Sequence, residues 1–233
     1  MSDPASVLDL SDVRYRWPGR SSFELHVPSL ALTQGETVLL LGESGSGKST
    51  LLSLICGTII AQSGQVCVAG HDIAALSAGK RDRFRAEQIG LIFQQFNLLP
   101  FASVRDNILL PLQFAPERRG RVADLQVEAQ RLCRDLGLPD DVLAARAGAL
   151  SVGQQQRVAA ARALIGTPPL IIADEPTSSL DAATQGTFLE LLFGQSRAHA
   201  TTLLMVSHDA RLSDQFDRVI HMADIAKTER EKA

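Results

Sequence analysis

The chain has 233 residues, 45% of them hydrophobic, and a formal net charge of −3 with histidine neutral. That is enough apolar material for one sizeable core, and so small a net charge supplies no global basic field to recommend nucleic acid or an anionic membrane as the main partner. No run approaches the roughly 18 uninterrupted apolar residues of a membrane span, and the opening MSDPASVLDL lacks a basic region followed by an apolar run, so a soluble, cytoplasmic chain is expected.

In chain order, Val13, Tyr15 and Trp17 alternate with Arg14 and Arg16, and Phe23, Leu25 and Val27 alternate with Glu24 and His26. A period of two predicts half-buried antiparallel strands. The texture then changes: TVLLL, IGLIF, LIIAD and TTLLMVS are short apolar runs separated by helical patterns, as in a parallel sheet covered on both faces. Cys56, Cys67 and Cys133 are scattered, without metal-ligand spacing, and read as reduced core residues.

The first run leads into GESGSGKST, Gly42 to Thr50, and then into the apolar LLSLICG. This is G-x-x-x-x-G-K-[ST] in the strand, loop and helix setting that the motif requires. Gly42, Gly45 and Gly47 let the backbone amides of the loop, Ser44 and Ser46 included, curl around phosphate oxygens. Lys48 brings positive charge to the β and γ phosphates, Ser49 offers a hydroxyl to Mg²⁺, and Thr50 closes the motif. A nucleoside triphosphate site is predicted.

After IGLIF comes Gln94, then a largely helical stretch from about Val104 to Gly166. Within it PERRGR, Pro116 to Arg121, is expected to be a solvated loop. Val122, Leu125, Ala129, Leu132 and Leu136 recur at three- and four-residue steps and mark one buried helix face. LSVGQQQRVAAARAL, from Leu150, is an alanine-rich helix that opens oddly on Ser-Val-Gly-Gln. Ser151 can be a plain N-cap with Gly153 as a turn residue; equally, the amides at that helix start can be presented to an anion.

LIIAD ends on Asp174 and Glu175. Asp174 suits a Mg²⁺ contact through water, and Glu175 suits a general base that polarises an attacking water. TTLLMVS ends on His208. Ligands of open α/β sheets lie beyond the carboxyl ends of the strands, so Lys48, Gln94, Asp174 and His208 should converge on one edge.

Taken together, these residues resemble the ATP-binding cassette (ABC) ATPases, whose LSGGQ signature appears here as Leu150, Ser151, Val152, Gly153 and Gln154. The family's motifs run in order along nearly the whole chain: an aromatic loop, the P-loop, the Gln94 loop, the signature, Asp174-Glu175, SSLD at Ser178 to Asp181, and His208. The resemblance implies an α/β P-loop NTPase fold with a mostly parallel core sheet, an N-terminal antiparallel β subdomain and an inserted helical subdomain. One domain is expected over 1–233, with about 1–94 and 167–233 forming the RecA-like core and about 95–166 the helical subdomain.

It also implies ATP and Mg²⁺ as ligands, with Ser49, Gln94 and Asp174 at the metal and Glu175, His208 and Gln94 in catalysis. Two copies would pair head to tail, Ser151, Gly153 and Gln154 of one capping the γ-phosphate on the other's P-loop. Helix 155–164 would then start where it does because a partner's nucleotide lies in front of it. Trp17 is favoured to stack on adenine, with Tyr15 as its rival. Two departures stand out. Val152 replaces the first signature glycine, which implies altered closure, and the tail HMADIAKTEREKA lacks the family's Asp-Gly turn and is expected to be a frayed charged helix.

Within the family, FQQFNLLPFASVRDNILLPL most resembles separate ATPase subunits of the lipoprotein-releasing and macrolide-export type. That implies a motor that dimerises on ATP, drives a separately encoded integral-membrane permease from the inner face of the cell membrane, and needs no nucleic acid. The alternative is a cassette regulating a membrane partner in cell division or envelope remodelling without transport. Phe96, Leu98, Leu99 and Phe101 either receive a coupling helix of the permease or pack the helical subdomain.

Overall fold

The computed structural model of the chain describes residues 6–17, 23–178 and 180–229. β1 (Ser6–Arg16) and β2 (Glu24–Thr33) pair antiparallel, with Val13 opposite Val27 and Tyr15 opposite Leu25. The period of two thus becomes one apolar face. β3 (Thr37–Leu41) is buried at every position and feeds the P-loop and α1 (Lys48–Ile55). β4 (Ser63–Val68) and β5 (His71–Asp72) return to the first sheet, and α2 (Ala78–Gln88) leads into β6 (Ile89–Ile92).

The helical stretch holds α3 (Val104–Leu109), α4 (Pro116–Gly120), α5 (Leu125–Asp135) and α6 (Val152–Leu164). It is followed by β7 (Leu170–Asp174), α7 (Ala182–Ala198) and β8 (Thr202–Ser207). The chain closes with β9 (Arg218–His221), α8 (Met222–Ile225) and β10 (Lys227–Glu229).

Two five-stranded sheets result. The first, in the order β10-β2-β1-β4-β5, is antiparallel throughout, and the second, β6-β7-β8-β3-β9, is parallel throughout. Alternation along the parallel strands sorts side chains onto two faces. Leu39, Ile171, Leu203 and Met205 pack with the helices α3, α5, α6 and α7, while Val38, Leu40, Ile172 and Leu204 pack with α1 and the antiparallel sheet. Each fully buried aliphatic side chain contributes about 1.5–3 kcal/mol relative to exposure, so the parallel sheet is clamped from both sides.

Four expectations are corrected. PERRGR is not a solvated loop: residues 116–120 form α4, and Arg118 is 1% exposed. Its guanidinium donates to the carbonyls of Ile165 (2.6 Å), Ala163 (2.6 Å) and Ala86 (3.1 Å), and its backbone N–H donates to the buried Glu87 carboxylate (2.7 Å). Burial lowers the Arg118 pKa to about 10, still a cation at neutral pH. A buried charge survives only with such partners.

The tail is not a frayed helix through its described residues. Met222 is buried, and β10 pairs with β2, Lys227 opposite His26, covering a sheet edge that would otherwise expose unpaired amides. Helix α6 starts at Val152 rather than 155, with Ser151 as its N-cap. The cysteines are all free, but only Cys56 and Cys133 are buried, and desolvation raises both thiols to about 12; Cys67 is half-buried.

Candidate functional site

Because β6, β7, β8 and β3 are parallel neighbours, their carboxyl ends share one edge. That edge carries Gln94, Asp174-Glu175, His208 and the P-loop. At the P-loop, Gly47 sits at the N-cap of α1 with φ 100°, a left-handed conformation that glycine adopts without steric cost. No side chain caps this helix. Its first turn therefore presents amides and the positive end of the helix dipole to the loop's concavity. Lys48 folds back over the loop, its Nζ donating to the carbonyls of Gly42 (2.6 Å) and Glu43 (2.8 Å). Ser46 Oγ is buried and lacks a hydrogen-bond partner.

Trp17 and Tyr15 separate clearly. Tyr15 is buried in the antiparallel sheet, whereas Trp17 is 36% exposed and donates from Nε1 to Thr50 Oγ1 (3.2 Å). The two rings meet edge to face at 5.3 Å. The indole is thereby held beside the P-loop helix with surface to spare. Pro18 and Gly19, whose sequence singled out Trp17, lie outside the described residues, as does Ser179 of the SSLD stretch. Asp181 of that stretch caps α7, accepting from the Thr184 amide at 2.9 Å.

Ser49 and Asp174 line one cavity of about 270 Å³. Burial, reinforced by the charge of Glu175 and opposed by Lys48, raises the Asp174 pKa above the ordinary carboxylate value. A hydroxyl and a carboxylate sharing a small cavity form a hard oxygen donor set of the kind Mg²⁺ prefers. An added cation would also relieve the desolvated Asp174. These residues fit the metal. Gln94 is placed otherwise: it is exposed in the turn after β6, and Phe93 lines the cavity in its stead.

Glu175 follows β7 with φ 46°, a left-handed conformation that costs a non-glycine residue on the order of 1–3 kcal/mol unless its surroundings enforce it. They do so here. Its N–H donates to Val206 O (3.0 Å), its carbonyl accepts from Ser178 N (3.3 Å), and its Oε2 lies 2.6 Å from His208 Nδ1. The structure thus joins Glu175 and His208 directly, spanning β7 and β8.

At the start of α6, Ser151 Oγ accepts from Gln154 N (3.3 Å) while Gln154 Oε1 accepts from Ser151 N (3.0 Å), a complete capping box. The N-cap reading of this stretch therefore holds within one chain. Gly153 is half-buried, and a Cβ built there meets nothing within 4 Å among the described residues, so no packing among them demands a glycine. Val152 is 50% exposed.

The apolar stretch after Gln94 divides. Phe96 is buried and Leu98 packs on the core, but Leu99 and Phe101 are exposed, at 36% and 75%. A groove of about 640 Å³ runs between α2 and the helical region, lined by Arg83, Phe93, Leu110 and Phe114 among others; neither Leu99 nor Phe101 lines it.

Two residues escaped the sequence reading. Gln156 is 1% exposed and donates from Nε2 to Pro176 O (2.8 Å). Arg162 is 7% exposed and donates to Phe96 O (2.5 Å) and Asn97 O (2.7 Å). For Arg162 the available signal was a charge between Ala161 and Ala163; Gln156, within a run of glutamines, gave none.

A family model described as ABC transporter matches residues 25–178. A lipoprotein-releasing system ATP-binding protein LolD from Anaeromyxobacter dehalogenans is 44% identical over 201 residues, 86% of this chain and 82% of that protein. A macrolide export ATP-binding/permease protein MacB from Rhodopirellula baltica is 39% identical over 207 residues, 88% of this chain; the chain spans only 30% of that protein's length. Among solved structures, the dimeric ABC transporter cassette MJ0796 aligns with a TM-score of 0.78 at 30% identity, covering 97% of this chain and 99% of the other. The same cassette, in a dimeric post-hydrolysis state bound to ADP and Pi, aligns with a TM-score of 0.74 at 31% identity and the same coverage.

Proposed function

This chain belongs to the ABC transporter family as an ATPase subunit, and we propose that it binds ATP with Mg²⁺, dimerises head to tail around two nucleotides, and drives a separate membrane permease of the lipoprotein-release or macrolide-export type. The observation that carries this reading is the shared strand edge, where the uncapped start of α1 follows β3 and the Glu175–His208 pair follows its parallel neighbours β7 and β8. In this reading about 1–94 and 167–233 grip the nucleotide, and about 95–166 form the helical subdomain that presents the signature.

The P-loop amides from Gly42 to Thr50 bind the phosphates, Lys48 turns from the Gly42 and Glu43 carbonyls to them, and Trp17 stacks on adenine. Ser49 and Asp174, joined by Gln94 once its turn closes, would hold Mg²⁺, which neutralises charge building on the β and γ phosphates. Glu175 takes a proton from the attacking water, and His208 holds its carboxylate in place. Ser151, Gly153 and Gln154 of the second copy cover the γ-phosphate with a helix N-terminus. ATP favours the closed pair and hydrolysis removes that preference, so the differential affinity of the two states supplies the work.

The groove beside Phe93 and Phe114 suits a short amphipathic helix of the permease, which would cover these exposed aromatic rings. No helix among the described residues is long and apolar enough to cross a membrane. The test is Glu175→Gln. Steady-state hydrolysis should fall about a hundredfold or more, ATP binding should persist, and an ATP-dependent dimer should accumulate by light scattering. Near-normal turnover would remove the general-base role, and a monomer at saturating ATP would remove the paired arrangement.

A further inference from the structure

Helix α6 carries a buried amide that the mechanism above does not use. Gln156 lies on the core side of the helix, near Val158, Ala159 and Ala160, all fully buried. A glutamine there costs stability unless its hydrogen bonds are made. Its Nε2 is spent on the carbonyl of Pro176, in the loop immediately after Glu175. That loop is the one whose backbone is forced left-handed at Glu175. The helix end is equally specific: Ser151, five residues earlier, is the N-cap of the same helix.

We propose that Gln156 is a positioning residue which couples the start of α6 to the orientation of Glu175. The inference rests on the functional reading above, in which the α6 N-terminus covers the partner's nucleotide. An α-helix transmits displacement of its first turn to its second with little loss, because the intervening backbone hydrogen bonds are intact. Gln156 hands that displacement to Pro176, and the Glu175–Pro176 peptide carries it to the carboxylate paired with His208. Engagement of one copy's signature with the opposite nucleotide is thus felt at that copy's own general base. Arg162 acts similarly further along α6, bonded to the carbonyls of Phe96 and Asn97, which follow the Gln94 turn and are themselves left-handed, with φ 58° and 49°.

The experiment uses the full chain and Gln156→Met, which keeps side-chain length and removes the donor. Gln156→Asn withdraws the amide by one methylene and serves if the methionine variant does not fold. ATP affinity by calorimetry and KM should stay within about twofold, while kcat should drop about 10- to 100-fold, the scale of small misplacements of a reacting group. In a Glu175→Gln background the same substitution should cost nothing further, because the group it positions is already gone. Unchanged kcat in the single variant would overturn the proposal. So would a full multiplicative loss in the double variant, or a joint collapse of affinity, kcat and thermal midpoint, each of which assigns Gln156 to the fold alone. Near-normal hydrolysis by Glu175→Gln by itself would instead sink the general-base reading and this inference with it, so the two failures are distinct.

Discussion

In the proposed reading two helix N-termini serve the same anion, and the chain builds them in opposite ways. α1 opens on Gly47 in a left-handed turn with no side-chain cap, leaving its amides open. α6 opens on Ser151 inside a closed capping box, which already satisfies the amides of Ser151 and Gln154 and leaves only those of Val152 and Gly153 to offer. An uncapped end gains free energy whenever a phosphate arrives, because the anion satisfies orphan donors and meets the helix dipole. A capped end gains less and must be pressed into place. On the proposed reading, one pocket half therefore binds in its own right, while the other is a lid that acts only when a second copy positions it.

The largest expected effect tests the open end. Lys48→Ala removes a charge-assisted contact of about 2–3 kcal/mol, so ATP affinity should weaken roughly thirty- to a hundredfold in a nucleotide titration. The loop itself should survive, since Lys48 bonds only to its rim at Gly42 and Glu43. An unchanged titration would mean that the open end alone binds the phosphates.

The closed end is tested next by Ser151→Ala. Loss of the cap should cost about 1 kcal/mol of stability, read as a lower denaturation midpoint with unchanged slope. In a mixed pair it should slow hydrolysis most, about tenfold, at the pocket of the unmutated copy, with a smaller loss at its own pocket through Gln156. Equal loss at both pockets would erase the contrast between lid and site.

Gly153→Ala sharpens the contrast with a smaller effect of opposite sign in the two assays. A helical glycine is less stable than alanine by about 0.5–1 kcal/mol, and nothing in the chain occupies the space of the added methyl. The isolated chain should therefore gain up to that amount in chemical denaturation, while the ATP-dependent dimer weakens. If the dimer is indifferent, the glycine has no partner to make room for.

How much of this was legible in the sequence follows the same division. The P-loop, Asp174-Glu175 and His208 could be read because phosphate binding needs contiguous residue types at the ends of apolar strands, and the parallel register then brings them to one edge. Arg118 could not be read, because its partners Ala163 and Ile165 offer only backbone carbonyls, which no residue type advertises. Gln156 was hidden in a run of three glutamines, of which it alone is buried. β10 was missed since a short polar strand has no signal of its own apart from the edge of β2 that it covers. Trp17 and Tyr15 share the same alternation, and only the end of β1 at Arg16 separates the buried ring from the exposed one.

The smallest effect concerns the floor between the two ends. Burial raises the Asp174 pKa above the ordinary carboxylate value, with Glu175 adding to the rise and Lys48 opposing it. A carboxyl whose folded pKa exceeds its unfolded one favours folding in its protonated form. That stability is fully present below about 3.8 and is lost as pH rises through the folded pKa, because the folded chain must then hold a desolvated charge. Asp174→Asn is uncharged at every pH. The nucleotide-free variant should therefore melt slightly higher than the natural chain at neutral pH. The gain should shrink toward zero as the pH is lowered to about 4. With Mg²⁺ and ATP present the order should reverse, since the natural carboxylate then has a cation to face. A variant that melts lower than the natural chain without nucleotide would mean that Asp174 is held by the fold for its own sake, and not kept at a cost for a ligand.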